Sequence, residues 1–305
     1  MATFNLDDHR IAIPIPSIHL VRDFISAADE SYLSGAVDRV GNSNAVVKPD
    51  LAISVRAGGW QRVNGRRSMY WGGTMTPKGR LVPQSPPSFM TDEWPRVFQR
   101  LEALKIFSAA EPSSSGPPLP PNHCLVNEYA PGDGILPHLD GPAYLPTVAT
   151  ISLESDTVYE FYCYSDRYEH FSRRLDAARR AAGADRAGAE AGEEKDIEGQ
   201  ADPEVPAATG EGGRPIAPSP LFSLFVPRRS LIIISGECYE HLLHSIPARP
   251  ADLLSSHLEP CLNWPDFSQH PHPQLDDQAL ARGRRVSLTC RRVQRVVKGL
   301  EHFLK

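Results

Sequence analysis

Proline punctuates this chain from end to end. There are 29 prolines in 305 residues, close to twice the roughly 5% usual share. Each one removes a backbone donor and clashes in a helix interior, so long bundles and coiled coils are excluded. Many short strands joined by Pro/Gly turns fit better. The length carries a prior of about two domains at roughly 150 residues each. The longest clean apolar run, Leu231 to Ile234, is far too short to span a membrane. The first twenty residues mix Asp7, Asp8, His9 and Arg10 among apolar ones and lack the uninterrupted stretch of a secretory signal. A soluble chain of the cytoplasm, the nucleus or both is expected, acting as a monomer.

Cys124, Cys163, Cys238, Cys261 and Cys290 are odd in number and scattered, with no C-x-x-C pair. That argues against a disulfide framework or a cysteine zinc site and for reduced, structural thiols. The formal charge of −5 argues against a protein that coats nucleic acid by bulk electrostatics, while leaving room for a local basic surface.

Composition breaks sharply between Asp176 and Pro220, a stretch without aromatics whose large apolar residues are Ile197, Val205 and Ile216. Such a segment buries too little surface to offset its ordering entropy, so residues 176–220 are expected to be a long disordered insertion. Just before it, Tyr168, Phe171 and Leu175 fall at i, i+3 and i+7 and predict a short amphipathic helix that frays into the insertion. Two shorter loops run from Glu111 to Pro121 and from Pro265 to Asp277. The histidines His257, His270 and His272 lie among prolines and are read as a flexible polar loop.

The rest divides into an N-terminal extension, residues 1–110, and a strand-rich part, residues 120–297. The extension holds a helix candidate near Arg22 to Ser31, strand-like Val46 to Arg56, and a helix near Glu93 to Lys105. The later part reads as successive strands: Cys124–Tyr129, Thr147–Leu153, Thr157–Tyr164, Leu221–Val226, Ser230–Ser235, His241–Ile246 and Arg284–Val293. Each is rich in Val, Ile, Leu, Thr and Tyr and closed by turn residues. The class is α+β, mainly β, a sandwich or jelly roll with flanking helices.

Four segments carry chemistry. In Pro137-His138-Leu139-Asp140-Gly141, residues i and i+2 share a strand face, so His138 and Asp140 can close on one metal ion. In Arg285-Val286-Ser287-Leu288-Thr289-Cys290-Arg291 the two arginines share a face with Ser287 and Thr289. Taken alone, this is best read as a half-exposed strand with its charges in water. As a functional face it would bind a dicarboxylate, because a guanidinium grips a carboxylate through two parallel hydrogen bonds and stays charged. Asn127 and Tyr129 share a third face, from which Glu128 alternates away. In Glu240-His241-Leu242-Leu243-His244-Ser245-Ile246, a spacing of three on a strand lets only one of His241 and His244 face inward. Two histidines and one carboxylate leave three metal positions open, the arrangement of non-haem Fe(II) oxygenases.

In this order, Asn-x-Tyr, His-x-Asp, a distant His-Ser-Ile and Arg-x5-Arg resemble the AlkB-like Fe(II)- and 2-oxoglutarate-dependent dioxygenases. The blocks from Asn122 to Tyr129, Gly141 to Val148 and Arg285 to Thr289 resemble the sixth AlkB homologue subgroup most closely. The N-terminal part resembles it more weakly, around Trp60 and Trp71-Gly72-Gly73. The resemblance implies a double-stranded β-helix (jelly roll, cupin-like) with iron held by His138, Asp140 and His244. His244 is preferred because His244-Ser245-Ile246 matches the family's strand end. Asn127, Tyr129, Arg285 and Arg291 would hold 2-oxoglutarate, Arg285 taking its far carboxylate. Ser287 stands where better-studied members often carry asparagine and is given no role.

The implied enzyme is an oxidoreductase that uses Fe(II), 2-oxoglutarate and molecular oxygen. It releases succinate and carbon dioxide while oxidising a C–H bond, as in oxidative N-demethylation. The implied partner is single-stranded or damaged nucleic acid. Arg56, Trp60, Arg62, Arg66, Arg67, Tyr70 and Trp71 interleave charge with aromatics, a composition suited to phosphates and stacked bases. Trp60, Arg62, Trp71 and Tyr144 are the candidates for substrate contact, and the basic end from Arg282 to Lys298 could extend the surface. A dioxygenase acting on a protein or small molecule would share the whole iron site. A nucleic-acid-binding module with a dormant site would bind metal and 2-oxoglutarate without making succinate. A zinc hydrolase would leave Arg285 and Arg291 without a purpose.

Overall fold

The computed structural model describes residues 4–15, 17–43, 59–107, 119–186, 210, 213–268, 275–276 and 278–297. Strands and helices are numbered in chain order. A seven-stranded sheet runs in the order β1 (Ile18–Val21), β11 (Leu231–Ser235), β8 (Tyr144–Leu153), β15 (Arg285–Val293), β6 (His123–Tyr129), β3 (Arg66–Trp71), β2 (Gln61–Val63). A four-stranded sheet runs β10 (Phe222–Val226), β9 (Thr157–Tyr162), β12 (Leu243–Ile246), β7 (Ile135–His138). Two small hairpins pair β4 (Gly73–Met75) with β5 (Leu81–Pro83) and β13 (Ala251–Leu253) with β14 (Ala279–Ala281). Neighbouring strands pair antiparallel. The helices are α1 (Ala27–Asn42), α2 (Ser88–Thr91), α3 (Val97–Ala103), α4 (Tyr168–Arg186), α5 (Gly236–His241) and α6 (Pro265–Ser268).

Alternation along each strand sorts the side chains into layers. Ile232, Ile234, Leu20 and Val148 of the large sheet meet Tyr159, Phe161, Leu224 and Ile246 of the small one, so the central core lies between the two sheets. Leu231, Ile233, Ile151, Val286 and Leu288 point the other way and pack against Leu33 and Val37 of α1 and Phe98 and Leu101 of α3. The all-apolar run Leu231 to Ile234 is thus a strand buried on both faces, which is why it does not alternate. Val158 and Phe225 on the outer face of the small sheet are covered by Leu258, Trp264 and Leu280. This is the jelly-roll core with flanking helices. The first 110 residues supply β1 to the edge beside β11, and β2 and β3 to the edge beside β6.

Several boundaries differ from the expectation, each for a local reason. The first helix starts at Ala27 rather than near Arg22, because Asp23 adopts φ 46° and Ser26 caps the helix through a reciprocal box with Asp29. It then continues to Asn42. The helix expected from Glu93 begins only at Val97, after Pro95 and a left-handed Arg96 at φ 57°. The helix expected to fray near Leu175 runs on to Arg186, since Ala and Arg are strong helix formers. The chain returns early as well: Ile216 pairs with Tyr164, and Ser165 N–H donates to Pro215 O at 2.9 Å. The expected insertion of residues 176–220 therefore narrows from both ends, and residues 187–209 lie outside the described residues. So do strand-like Val46 to Arg56, His270 and His272.

Glycine is required where β3 hands over to β4. Gly72 has φ 91° and Gly73 φ 136°, and an added Cβ would meet the carbonyl oxygen of Asn122 or of Val82 at 2.2 Å. Among the described residues, no helix is long and apolar enough to cross a membrane.

Candidate metal centre and cosubstrate pocket

The small sheet brings the two histidines together. His138 on β7 and His244 on β12 are direct cross-strand partners, with ring centroids 4.5 Å apart. Asp140 follows two residues after β7 ends. One donor atom from each of the three lies within 4.8 Å of the other two, and Asp140 Oδ2 is 4.0 Å from His244 Nε2. His241 is not on the strand at all. Residues Gly236–His241 form one short helix, and the strand begins only at Leu243, so the geometry selects His244.

Each donor is held in a metal-ready state. His138 Nδ1 lies 2.8 Å from Leu136 O; facing a carbonyl, that nitrogen carries the proton and leaves Nε2 as the lone pair. Burial, then the facing His138, pushes His244 down to about 3, and burial lowers His138 too. Both rings are neutral at pH 7, as a ligand must be. Burial alone would raise the Asp140 carboxyl, but the Arg291 guanidinium together with the two facing imidazoles holds the group below the usual carboxylate range. Arg291 donates to Oδ1, while buried Oδ2 has no hydrogen-bond partner among the described residues. A partnerless buried carboxylate oxygen between two neutral imidazoles is costly by itself. It fits a divalent cation, and an all-N/O set suits iron of the two-histidine, one-carboxylate kind.

The large sheet supplies the polar wall opposite. Arg285 is 3% exposed and Arg291 6%, so the reading of β15 as a half-exposed strand fails. Arg285 Nη2 donates to Ser152 Oγ at 2.8 Å and to Tyr159 OH at 3.2 Å. Its buried Nε and Nη1 have no hydrogen-bond partner among the described residues. Its guanidinium sits 5.6 Å from the centroid of the Tyr129 ring and 5.5 Å from that of Tyr159. A buried cation with no carboxylate partner awaits an anion. Between the levels of Arg285 and Arg291, one row crosses four strands: Ser68, Asn127, Ser287 and Ser152, each the register partner of the next. These short polar side chains leave room between the arginines. Asn127 Oδ1 accepts from Ser68 Oγ at 2.6 Å and Arg66 Nε at 3.2 Å.

The substrate candidates divide by strand face. Tyr144 lies under Arg291, whose guanidinium is 5.0 Å from its ring centroid, and so borders the site. Trp71 does not: it is the partner of Cys124 on the helix-facing side, is 3% exposed and packs edge-on against Phe89. Trp60 lies on that side too, beneath the Arg67 guanidinium at 4.5 Å. Arg62 is the cross-strand partner of Arg67. The inward residues of β3 are Arg66, Ser68 and Tyr70; the sequence places Arg66 and Tyr70 in its basic and aromatic run but does not mark these three as the inward set. The signal that would have found them is the register with β6, where Ser68 faces Asn127. Arg62, Arg66 and Arg67 line an open cleft of about 670 Å³ beside the site, together with Asn64 and Asp133.

Part of the basic end is tied up in internal ion pairs, while Arg295 is exposed. Arg282 is paired with buried Asp252, and Arg284 with Asp38, Glu128 and Glu154. Glu128, with Arg67 and Arg284, is paired outside the barrel as its alternation implies. His257 Nδ1 accepts the Leu253 N–H at 2.8 Å and serves its own turn.

Residues 63–291 match the 2OG-Fe(II) oxygenase superfamily. Over 287 residues the chain is 31% identical to the probable RNA/DNA demethylase ALKBH6 of Danio rerio, covering 93% of this chain and 88% of that protein. The chain is an AlkB-like 2OG-Fe(II) oxygenase. Its cofactor is Fe(II), and 2-oxoglutarate and molecular oxygen are its cosubstrates. Among solved structures it is similar to OsALKBH1, at 14% identity and a TM-score of 0.44, covering 91% of this chain and 97% of that one. A 2OG-Fe(II) oxygenase-family oxidoreductase from Burkholderia pseudomallei gives 11% identity and a TM-score of 0.39, covering 92% and 89%.

Proposed function

We propose that this AlkB-like oxygenase removes an N-methyl group from a base of single-stranded or damaged nucleic acid, releasing the carbon as formaldehyde, in the cytoplasm or nucleus. The observation that carries the reading is a pair of buried polar groups without hydrogen-bond partners among the described residues, one on each side of the gap between the sheets. On one side is the partnerless Asp140 oxygen among neutral imidazoles, and on the other the partnerless Arg285 nitrogens. The first suits a ferrous ion and the second the far carboxylate of 2-oxoglutarate. The 31% identity to a probable RNA/DNA demethylase supports a methylated base as the substrate.

When bound, iron with 2-oxoglutarate and oxygen supplies a two-electron oxidation of a nearby C–H bond. The chain does the rest. His138, Asp140 and His244 would occupy three metal positions and leave three for cosubstrate and oxygen. Arg291 holds the acid and fixes which of its oxygens faces the metal. Arg285 offers two buried N–H groups in a planar fork, and the Ser68–Asn127–Ser287–Ser152 row lines the space beside it. Tyr159, Phe161 and Ile246 of the core keep water from the reacting atoms. Arg62 and Arg66 have no carboxylate partner among the described residues and face a cleft suited to phosphates.

The test supplies Fe(II), 2-oxoglutarate and N-methylated RNA or DNA oligonucleotides, single- and double-stranded. It reads succinate, formaldehyde and the nucleosides by mass. Loss of methyl with matched succinate, abolished by His138→Ala, is expected. Methyl loss equal in the wild type and His138→Ala would overturn the metal assignment. Succinate without methyl loss on any oligonucleotide would overturn the substrate.

A further inference from the structure

A column of side chains connects the candidate acid to the surface. Asp140 is held by Arg291, whose guanidinium covers the Tyr144 ring. His123 stacks on Tyr144 at 5.9 Å between centroids, 25° from parallel, and Tyr70 stacks on His123 at 5.5 Å and 21°. His123 is wholly buried, and its imidazole meets the Gly73 backbone. Burial, with Arg291 adding to it, outweighs the Gly73 hydrogen bond and lowers the imidazole to about 4, so at pH 7 an uncharged imidazole lies between two phenol rings. Both flat faces of the imidazole are taken up by phenol rings. The outermost ring, Tyr70, is 46% exposed although its neighbour Trp71 is buried.

We propose that Tyr70 is a stacking subsite for a flanking base of single-stranded nucleic acid, one that does not itself react. The inference rests on the nucleic-acid reading above and adds to it where a second nucleotide lies. Tyr70 is separated from the Arg291–Asp140 pair by two rings, whereas the reacting methyl has to lie at the triad. The ring that Tyr70 receives therefore belongs to another nucleotide. Arg66 stands four residues back on the same face of β3, about 13 Å away at roughly 3.3 Å per residue. It lines the arginine cleft and can hold a phosphate while a base lies on Tyr70. Stacking tolerates any base because every base has a π face. The subsite accordingly favours a strand over a free nucleoside without imposing sequence.

The probe is a short single strand with one N-methylated base and 2-aminopurine, whose fluorescence falls on stacking, beside it on the 5′ or the 3′ side. Wild type and Tyr70→Phe should quench the reporter on one side of the methylated base. Tyr70→Ala should not, and should bind the strand roughly ten-fold more weakly, with the affinity for the methylated mononucleoside unchanged. Tyr70→Leu keeps bulk without a π face and replaces the alanine variant if that one melts early. Unaltered quenching in Tyr70→Ala or Tyr70→Leu, or an equal loss for strand and nucleoside, overturns the subsite while leaving the demethylase reading standing. A wild type with no salt-sensitive affinity for the strand overturns both, and that result is distinct because it needs no variant.

Discussion

Arg291, near the end of the central strand, donates to Oδ1 of Asp140, so the second arginine of Arg-x5-Arg is committed to the acid of the triad. Replacing it leaves a buried carboxylate with neither counter-charge nor fixed orientation. Arg291→Gln should lower Fe(II) affinity by about ten- to a hundred-fold, the usual loss for a group that orients a ligand. Anaerobic metal titration checks this; unaltered affinity would mean that the carboxylate is oriented by something else.

Arg285 has no such commitment. Its free Nε and Nη1 await a planar anion that a lysine would meet only as a point charge. Arg285→Lys should raise the KM for 2-oxoglutarate more than ten-fold with a smaller change in kcat. Thermal melting gives an independent reading. At a hundred times its Kd, 2-oxoglutarate stabilises the iron-loaded wild type by about 2.7 kcal/mol, and a variant that binds ten-fold more weakly should gain about 1.4 kcal/mol at the same concentration, roughly half the shift.

The thiols should be inert in the native state. All five cysteines are buried and free. Burial pushes Cys163 up to about 11 and Cys238 and Cys261 up to about 12, and raises Cys290 well above its ordinary value. Thiolate is the reactive form. Intact mass after iodoacetamide at pH 8 should show no adduct on the folded protein and five after denaturation.

Acid should erase the contribution of Glu128. Burial works against its charge, but hydrogen bonds from Arg67 and Arg284 outweigh it and hold the carboxyl below its ordinary 4.5. A depressed folded value means the stabilisation is fully present above that pH and fades as pH falls through the folded value. Glu128→Gln should thus lower Tm at pH 7, and the gap to the wild type should close as the pH is taken below about 4.5.

Alternation made much of this site legible. Asn127 with Tyr129, and Arg285 with Ser287, Thr289 and Arg291, fall on inward faces because strand geometry has a period of two, while Asp140 reaches His138 from just beyond the end of β7. What failed needed information that no local window holds. Whether Trp71 or Tyr70 looks inward depends on β3 pairing Ser68 with Asn127, fifty-nine positions away. The bond from Arg291 to Asp140 spans 151 positions, so the strand pattern shows an inward guanidinium but not what it grips. His241 was misplaced on a strand because Gly236, at φ 49°, opens a helical turn inside an otherwise strand-like stretch. The residues after Leu175 were misread for the converse reason: few large apolar groups argue against burial, yet alanine and arginine still sustain an exposed helix.

The metal triad rides on one sheet and the Arg285 fork on the other. A small dianion gripped at both ends would act as a rivet through the sandwich. Mechanical strength should then depend on cargo: pulled from its termini, the loaded molecule would part its halves at a higher force than the empty one.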